Sequence, residues 1–452
     1  MSANRQMRLG VSIRYHGYHL AAWRHPDVPA AGPLDYRYFL NTVRIAEQAK
    51  FDMAFLADGI GIRTKDEPEG ALCRSQQTVE LEPLTLFAAI ATHTTHIGFV
   101  ATASTTYNEP FHIARKFASL DHISGGRMGW NIVTSWSDEE ARNFNRDRHL
   151  DYDTRYERAE EFVRVVTGLW NSWDDDAFVR DKDSGLYFDP AKMHVLDHVG
   201  KHFKVRGPLS SARTPQGRPI LVQAGAAEQG QDIAGTHADV VYAAQFNLTS
   251  AQRYYQSLKS RAVTNGRSPD AIKIMPGLTT FVGRTEEEAQ AKYDTMRKLI
   301  HPKVGLAVLY NFLGDLSGYP LDGPVPDPKG DMTVRSIGNS HLEMARRENL
   351  TIRQLYEKQA ASFGGWTLIG TPQQIVDRMQ EWFENGAADG FNICPTHLPG
   401  GLEDFVELVV PELRRRGLFR TEYEGTTLRE NLGVPPHINP NHLPASSARA
   451  AE

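Results

Sequence analysis

The stretch DHISGGRMGWNIVTS, residues 121–135, opens with glycines and an arginine and closes in a row of small polar residues. Within it RMGWNIVTS, 127–135, reads as a strand whose tip carries Asn131, Thr134 and Ser135. A strand that ends in an amide and hydroxyls suits an element aimed at a ligand. The same design recurs along the chain. Short β-rich runs occur at 7–13, 51–58, 97–105, 127–135, 219–225, 240–245, 272–282 and 390–397, with amphipathic helical runs between them. EPLTLFAAIATHT carries Pro83 in its first turn, and TPQQIVDRMQEWFENG has a threonine cap and a glycine stop.

Strands that alternate with helices imply a parallel sheet. Eight such units give the (β/α)8 TIM barrel as the expected α/β fold. Residues 1–430 read as one barrel domain with excursions at about 171–218 and 284–365. The second excursion follows strand seven, and its part near 310–345 reads as a mobile lid. Residues 431–452 read as a polar, loosely ordered tail. A doubly wound open sheet is disfavoured because no glycine-rich dinucleotide turn follows the first strand.

Bulk properties exclude several classes. The chain has 452 residues and a net charge of −5, so nothing draws it to nucleic acid or an anionic membrane. No run approaches membrane-helix length, and no signal-peptide pattern opens the chain. Its two cysteines, Cys73 and Cys394, make no disulfide framework and fit a reducing cytoplasm. Walker and GxSxG motifs are absent. His93/His96 and His194/His198/His202 have metal-like spacings, but no carboxylate or cysteine set joins them, so no metal is expected.

A parallel barrel binds its ligand at the carboxyl ends of its strands. Those ends supply Asp58, Thr102, Ser104, Thr105, Asn131, Thr134, Ser135, Gln223, Gly225, Thr396 and His397. The rim is rich in uncharged donors and poor in facing acid pairs. It suits a planar ring with a phosphate better than glycoside hydrolysis. Tyr15, Trp23, Phe55, Trp130 and Trp136 lie near strand ends and are expected to shield the mouth. Arg14, Arg24 and Arg63 could meet a substrate carboxylate, while the aromatic rim fits a neutral or aromatic one; the residues leave the substrate open.

The blocks AEQAKFDMAFLAD, VATASTTYNEPFHIARKFASLDHISGGRMGWNIVTSWSDEEARNF, DTRYERAEEF, RPILVQAGAAEQG and LPGGLEDFVELVVPELRRRGLFRTEYEGTTLRENLG span nearly the whole chain. With them the sequence resembles the reduced-flavin monooxygenases of the bacterial-luciferase-like superfamily, of the nitrilotriacetate, dibenzothiophene-sulfone and long-chain alkane type. The resemblance implies a homodimer or homotetramer that takes FMN as FMNH2 from a separate NAD(P)H:FMN reductase. O2 is then the co-substrate, a flavin C4a-(hydro)peroxide the oxidant, and a small sulfur-, nitrogen- or hydrocarbon-containing molecule the substrate. Family flavin positions fall on Asp58, Thr102, Ser104, Asn131, Tyr156 and the turn Gly225, Ala226, Ala227. The family commonly has histidine four residues before that tyrosine. Here Tyr152 stands there and His149 lies three residues earlier; either could take the phosphate side. The turn often has serine where this chain has Ala227. His19, in Gly17-Tyr18-His19, is the expected substrate-side or proton-managing group. An F420-dependent oxidoreductase and a non-catalytic flavin-binding barrel are the alternatives on the same fold.

Overall fold

The computed structural model describes residues 5–225, 227–327, 342–362 and 365–442. Eight parallel strands close into a barrel. In circuit order they are β1 (Arg8–Ile13), β2 (Met53–Leu56), β3 (Gly98–Ser104), β4 (Met128–Val133), β7 (Ile220–Ala224), β8 (Val240–Ala243), β9 (Lys273–Val282) and β11 (Gly390–Ile393), which returns to β1. All eight expected strands are present, each shorter at one or both ends. The fold is a TIM barrel.

Three strands lie outside the circuit and were not anticipated. β5 (His198–Val199) and β6 (Lys204–Val205) form a small antiparallel pair in the first excursion. β10 (Trp366–Gly370) pairs with the outer half of β9, from Leu278 to Val282. β9 is ten residues long, but β8 matches only its first four, Lys273 to Pro276. Its overhang presents unmet backbone groups, and β10 covers that edge.

The helix Pro110–Ser124 stops on Gly125, at φ +70°, a left-handed turn that glycine adopts without strain. The buried Arg127 guanidinium then bonds the carbonyls of Ala91 (2.9 Å) and Ile97 (2.8 Å), tying the end of the preceding helix to the start of β3. On β4, Trp130 points outward. It packs against Phe117, Phe162 and Trp170 at ring separations of 5.9, 5.8 and 6.5 Å. This corrects its placement among the mouth aromatics: strand alternation sends Trp130 to the helix layer and Asn131 inward. Phe55 does lie inside the barrel, stacked on Tyr242 at 5.8 Å.

The floor of the barrel is closed by the C-terminal segment. Leu428, Leu432 and Val434 pack against Met53, Val100, Ile220, Val222, Val240 and Met275. Asn431 and Asn439 are buried too, so the start of the expected loose tail is docked as far as Asn439. Residues 443–452 lie outside the described residues. The segment is held by ions as well as by apolar surface. Arg420 pairs with Asp52 at 2.7 Å with both side chains essentially inaccessible, and its Nη2 also donates to the Asn431 carbonyl at 2.6 Å. Arg429 and Arg218 share Asp239. These cations hold the Asp239 carboxyl well below its ordinary range despite burial. The second excursion builds its own apolar cluster from Leu306, Leu309, Leu313, Leu355 and Tyr356, and Leu20 and Ala21 dock on it. The stretch 328–341 of the expected lid lies outside the described residues.

Removing one partner of a buried ion pair strands the other. Arg420→Met is therefore expected to lower stability by about 3–5 kcal/mol, read as a shifted urea midpoint. The double variant Asp52→Asn/Arg420→Met should recover part of the loss. A midpoint unchanged in Arg420→Met would show that the pair does not hold the floor.

Candidate active site

Above the apolar floor the inward-facing residues become polar. Thr102 donates to the Leu56 carbonyl and accepts from Asn131 Nδ2, both at 2.8 Å. Asn131 Oδ1, Gln223 Oε1, Thr279 Oγ1 and both amide atoms of Asn392 are buried without a protein partner. Buried polar atoms left unmet are costly unless something supplies their hydrogen bonds. Their gathering in the upper barrel identifies a space built for a polar ligand. Gly10 and Gly277 let two of the inward side chains lie close against the strands: an added Cβ would lie 2.5 Å from Asn392 Oδ1 and 2.3 Å from Tyr242 Oη.

The ends of β3 and β4 are locked together. Ser104 and Ser135 hydroxyls meet at 2.9 Å, and Ser135 donates to Glu140 Oε1 at 3.2 Å. Ser135 sits at φ +58°, an uncommon conformation for a non-glycine residue. Glu140 closes a capping box with Ser137, and Arg155 holds the Ser135 carbonyl at 3.1 Å. The polar row thus shapes a strained turn. Trp136, just beyond it, is 77% exposed.

A second constellation lies beside β7. The helix Glu228–His237 starts at Ala227, which offers no side-chain cap, so its first N–H groups stay available for an anion. Tyr254 fixes the Gly225 carbonyl at 2.6 Å. Added Cβ atoms on Gly225 and Gly230 would lie 2.7 and 3.1 Å from Gln223 Nε2, and the Gly230 one 3.7 Å from Tyr156 Oη. Tyr156, Gln223 and the two glycines therefore converge. Tyr152 reaches the same helix, donating to Gln229 at 2.9 Å, and its ring lies 4.7 Å from that of Tyr156. His149 instead bonds Tyr107 at 2.6 Å. Ala226 lies outside the described residues.

The ends of β1 and β2 carry the charge. Asp58 is half-buried, and burial raises its carboxyl to about 6. Glu80, which sequence reading passed over, accepts the Tyr15 N–H at 2.5 Å. Burial raises it to about 7, opposed by Tyr15 N–H and Arg14 and reinforced by Asp58. Tyr15 itself turns at φ +45°. His19 is fully buried. Its Nδ1 accepts from Ala21 N at 3.1 Å, which leaves the proton on Nε2, an atom without a partner. Burial, then His397, pushes it down to about 3. His19 is thus a neutral donor and does not titrate near pH 7.

The luciferase-like monooxygenase family model matches residues 16–389. N-acetyl-S-(2-succino)cysteine monooxygenase of Bacillus subtilis (strain 168) is 51% identical, over 97% of this chain and 99% of that one. Nitrilotriacetate monooxygenase component A of Aminobacter aminovorans is 47% identical, over 96% and 98%. This chain belongs to the luciferase-like monooxygenases. Among solved structures, DmoA from Hyphomicrobium sulfonivorans superposes with a TM-score of 0.87 at 32% identity, covering 99% of this chain and 96% of that one. An F420-dependent secondary alcohol dehydrogenase, at 12% identity and a TM-score of 0.56, shares the fold alone.

Within this luciferase-like barrel, Glu80 had no local signal. It stands in TVELEP, before a helix capped by Glu82, and reads as one more cap-region acid. Only the fold brings it to Arg14 and Tyr15. Both raised acids favour the folded state while protonated. That contribution fades as pH rises from the unfolded values of 3.8 and 4.5 through about 6 for Asp58 and 7 for Glu80. Glu80→Gln is therefore expected to raise Tm at pH 8 and to raise it less at pH 5. Thermal melts at the two pH values check this; an equal gain at both would contradict the raised acid.

Proposed function

We propose that this chain is the oxygenating component of a two-component, FMNH2-dependent monooxygenase. The observation that carries the reading is the pairing of an uncapped helix N-terminus with a polar, unsatisfied barrel interior. One would take the flavin phosphate and the other the edge of the isoalloxazine. Its support includes the similarity to a component A and the lack of a dinucleotide fingerprint, which leaves flavin reduction to a separate NAD(P)H:FMN reductase.

In this reading Tyr152, Tyr156, Gly225 and the first N–H groups after Ala227 hold the phosphate side. Tyr152, not His149, takes the family's histidine position, because only Tyr152 reaches the helix. Ser104, Thr102 and Asn131 line the ring side, with Thr102 acting mainly by orienting Asn131. Reduced FMN, when bound, supplies the electrons that activate O2 and transfer one oxygen atom to a small organic substrate. The protein supplies binding, orientation and exclusion of water. His19 offers a proton at Nε2 for hydrogen bonding and keeps it. Asp58 and Glu80 are the groups that can hold or release a proton near neutral pH.

Tyr156→Phe is expected to weaken reduced-FMN binding about fivefold to tenfold, as loss of one hydrogen bond to an anion would. Reduced riboflavin, which has no phosphate, should bind the variant and the parent alike. Anaerobic fluorescence titrations decide it; equal losses for both flavins would remove the phosphate-side assignment. When the loaded protein is mixed with oxygenated buffer, bound flavin should reoxidise more slowly than free flavin. Reoxidation at the free rate would contradict an oxygenating role.

A further inference from the structure

The helix Tyr152–Trp170 carries a stripe of three polar groups at four-residue intervals, Tyr152, Tyr156 and Glu160. All three turn to one neighbour, the helix Glu228–His237. Tyr152 donates to Gln229 at 2.9 Å, a Cβ on Gly230 would lie 3.7 Å from Tyr156 Oη, and His237 Nε2 bonds Glu160 Oε1 at 2.8 Å. The acids beside Glu160 face elsewhere. Glu157 pairs with Lys201 and Glu161 with His198, both in the first excursion. Glu160 therefore completes the row that the two tyrosines begin.

The two ends of this contact are matched. From Tyr152 to Glu160, and from Gln229 to His237, the chain advances eight residues, about 12 Å along a helix axis. The helices thus run parallel, bonded at the top by Tyr152 and Gln229 and at the foot by Glu160 and His237. The top is the end assigned to the flavin phosphate, and the second helix does little to fix its own direction. Its ten residues include Gly230 and Gly235, and Ala227 leaves its start uncapped, so it is weak by itself and lies where its neighbours hold it. Arg267 ties its lower end through the carbonyls of Gly235 (2.9 Å) and Ala238 (2.6 Å). Ser257 meets Gln231 at 2.9 Å, and Arg261 pairs with Asp232, on the side of the helix Leu248–Thr264. His237 is what draws the foot to the tyrosine stripe. Burial opposes the charge of Glu160, yet His237 and then Arg164 hold its carboxyl below the usual range.

We propose that the Glu160–His237 bond is a clamp for the flavin-phosphate site. It sets the tilt of Glu228–His237 on Tyr152–Trp170, so that Tyr156 and the first N–H groups of the second helix converge on one anion. Both are positioning residues. His237 lies seven residues beyond Gly230, about 10 Å along the axis, out of reach of an anion held at the helix start. The clamp rests on the phosphate-side reading of Tyr156.

The test is anaerobic fluorescence titration of the full chain with reduced FMN and with reduced riboflavin. His237→Leu should weaken reduced-FMN binding about threefold to tenfold and leave reduced riboflavin unchanged. A bond that serves stability alone would shift Tm and move both flavins alike or neither. His237→Gln, which can still donate to Glu160, should restore most of the affinity. In a Tyr156→Phe background His237→Leu should cost less than in the parent, whereas independent sites would add. Should His237→Leu not fold, Glu160→Ala, on a partly exposed side chain, takes its place. Unchanged reduced-FMN affinity, equal losses for both flavins, or fully additive losses with Tyr156→Phe would overturn the proposal. If Tyr156→Phe separates the two flavins and His237→Leu does not, the clamp falls and the phosphate reading stands. If Tyr156→Phe itself weakens both flavins equally, the phosphate reading falls and takes the clamp with it.

Discussion

A buried carboxylate at the foot of a strand, accepting the N–H of a neighbouring strand, is the constraint on which this barrel rests. Asp52, just before β2, accepts from Leu9 of β1 at 2.7 Å. Asp239, before β8, accepts from Leu221 of β7 at 2.9 Å, and Asp389, before β11, accepts from Ile274 of β9 at 3.0 Å. Asp121 does the same for Met128 of β4 from the preceding helix, at 2.9 Å. Each of the three bonds at strand feet fixes the relative height of two strands, and so helps set the stagger that closure requires. Three of the four acids have a buried cation partner: Arg420, the pair Arg218 and Arg429, and Lys259. Asp121 has Gln216 instead, and burial raises it to about 6.

The two ends of the barrel are built on opposite electrostatic rules. At the floor, ions are paired and enclosed by Leu428, Leu432 and Val434, so the low dielectric strengthens what is satisfied. At the mouth, amides lack partners, Tyr15 and Ser135 hold uncommon backbone conformations, and Asp58 and Glu80 hold protons toward neutral pH. Unsatisfied, strained and titrating groups cost stability. A rigid floor lets the mouth carry them.

Much of this was legible from local pattern. Alternation located the eight strands because each pairs short β-rich runs with amphipathic helices of ordinary length. Family motifs located Tyr156, Gly225 and Asn131, and the structure brings Tyr156 and Gly225 together at one helix start and Asn131 into the barrel. Other features were not legible. β10 looks like loop because its role is to cover an overhang that only β9's length creates. Trp130 looked like a mouth residue until the phase of β4 placed it against Phe117 and Trp170. His19 looked like a titrating group, but its protonation depends on burial and on Ala21 N. The tail to Asn439 looked loose because its polar residues hide their buried asparagines among prolines.

By itself, then, the sequence determined the barrel, the order of its strands, and the residue types at their carboxyl ends. Those follow from periodicity and from chemistry local to a few residues. Only the tertiary structure decided which polar atoms go unmet, that Glu80 faces Arg14 and Tyr15, and that Tyr152 rather than His149 reaches the helix after β7. Each of these depends on segments far apart in the chain meeting in a medium of low dielectric, and neither the meeting nor the dielectric can be read from neighbours in sequence.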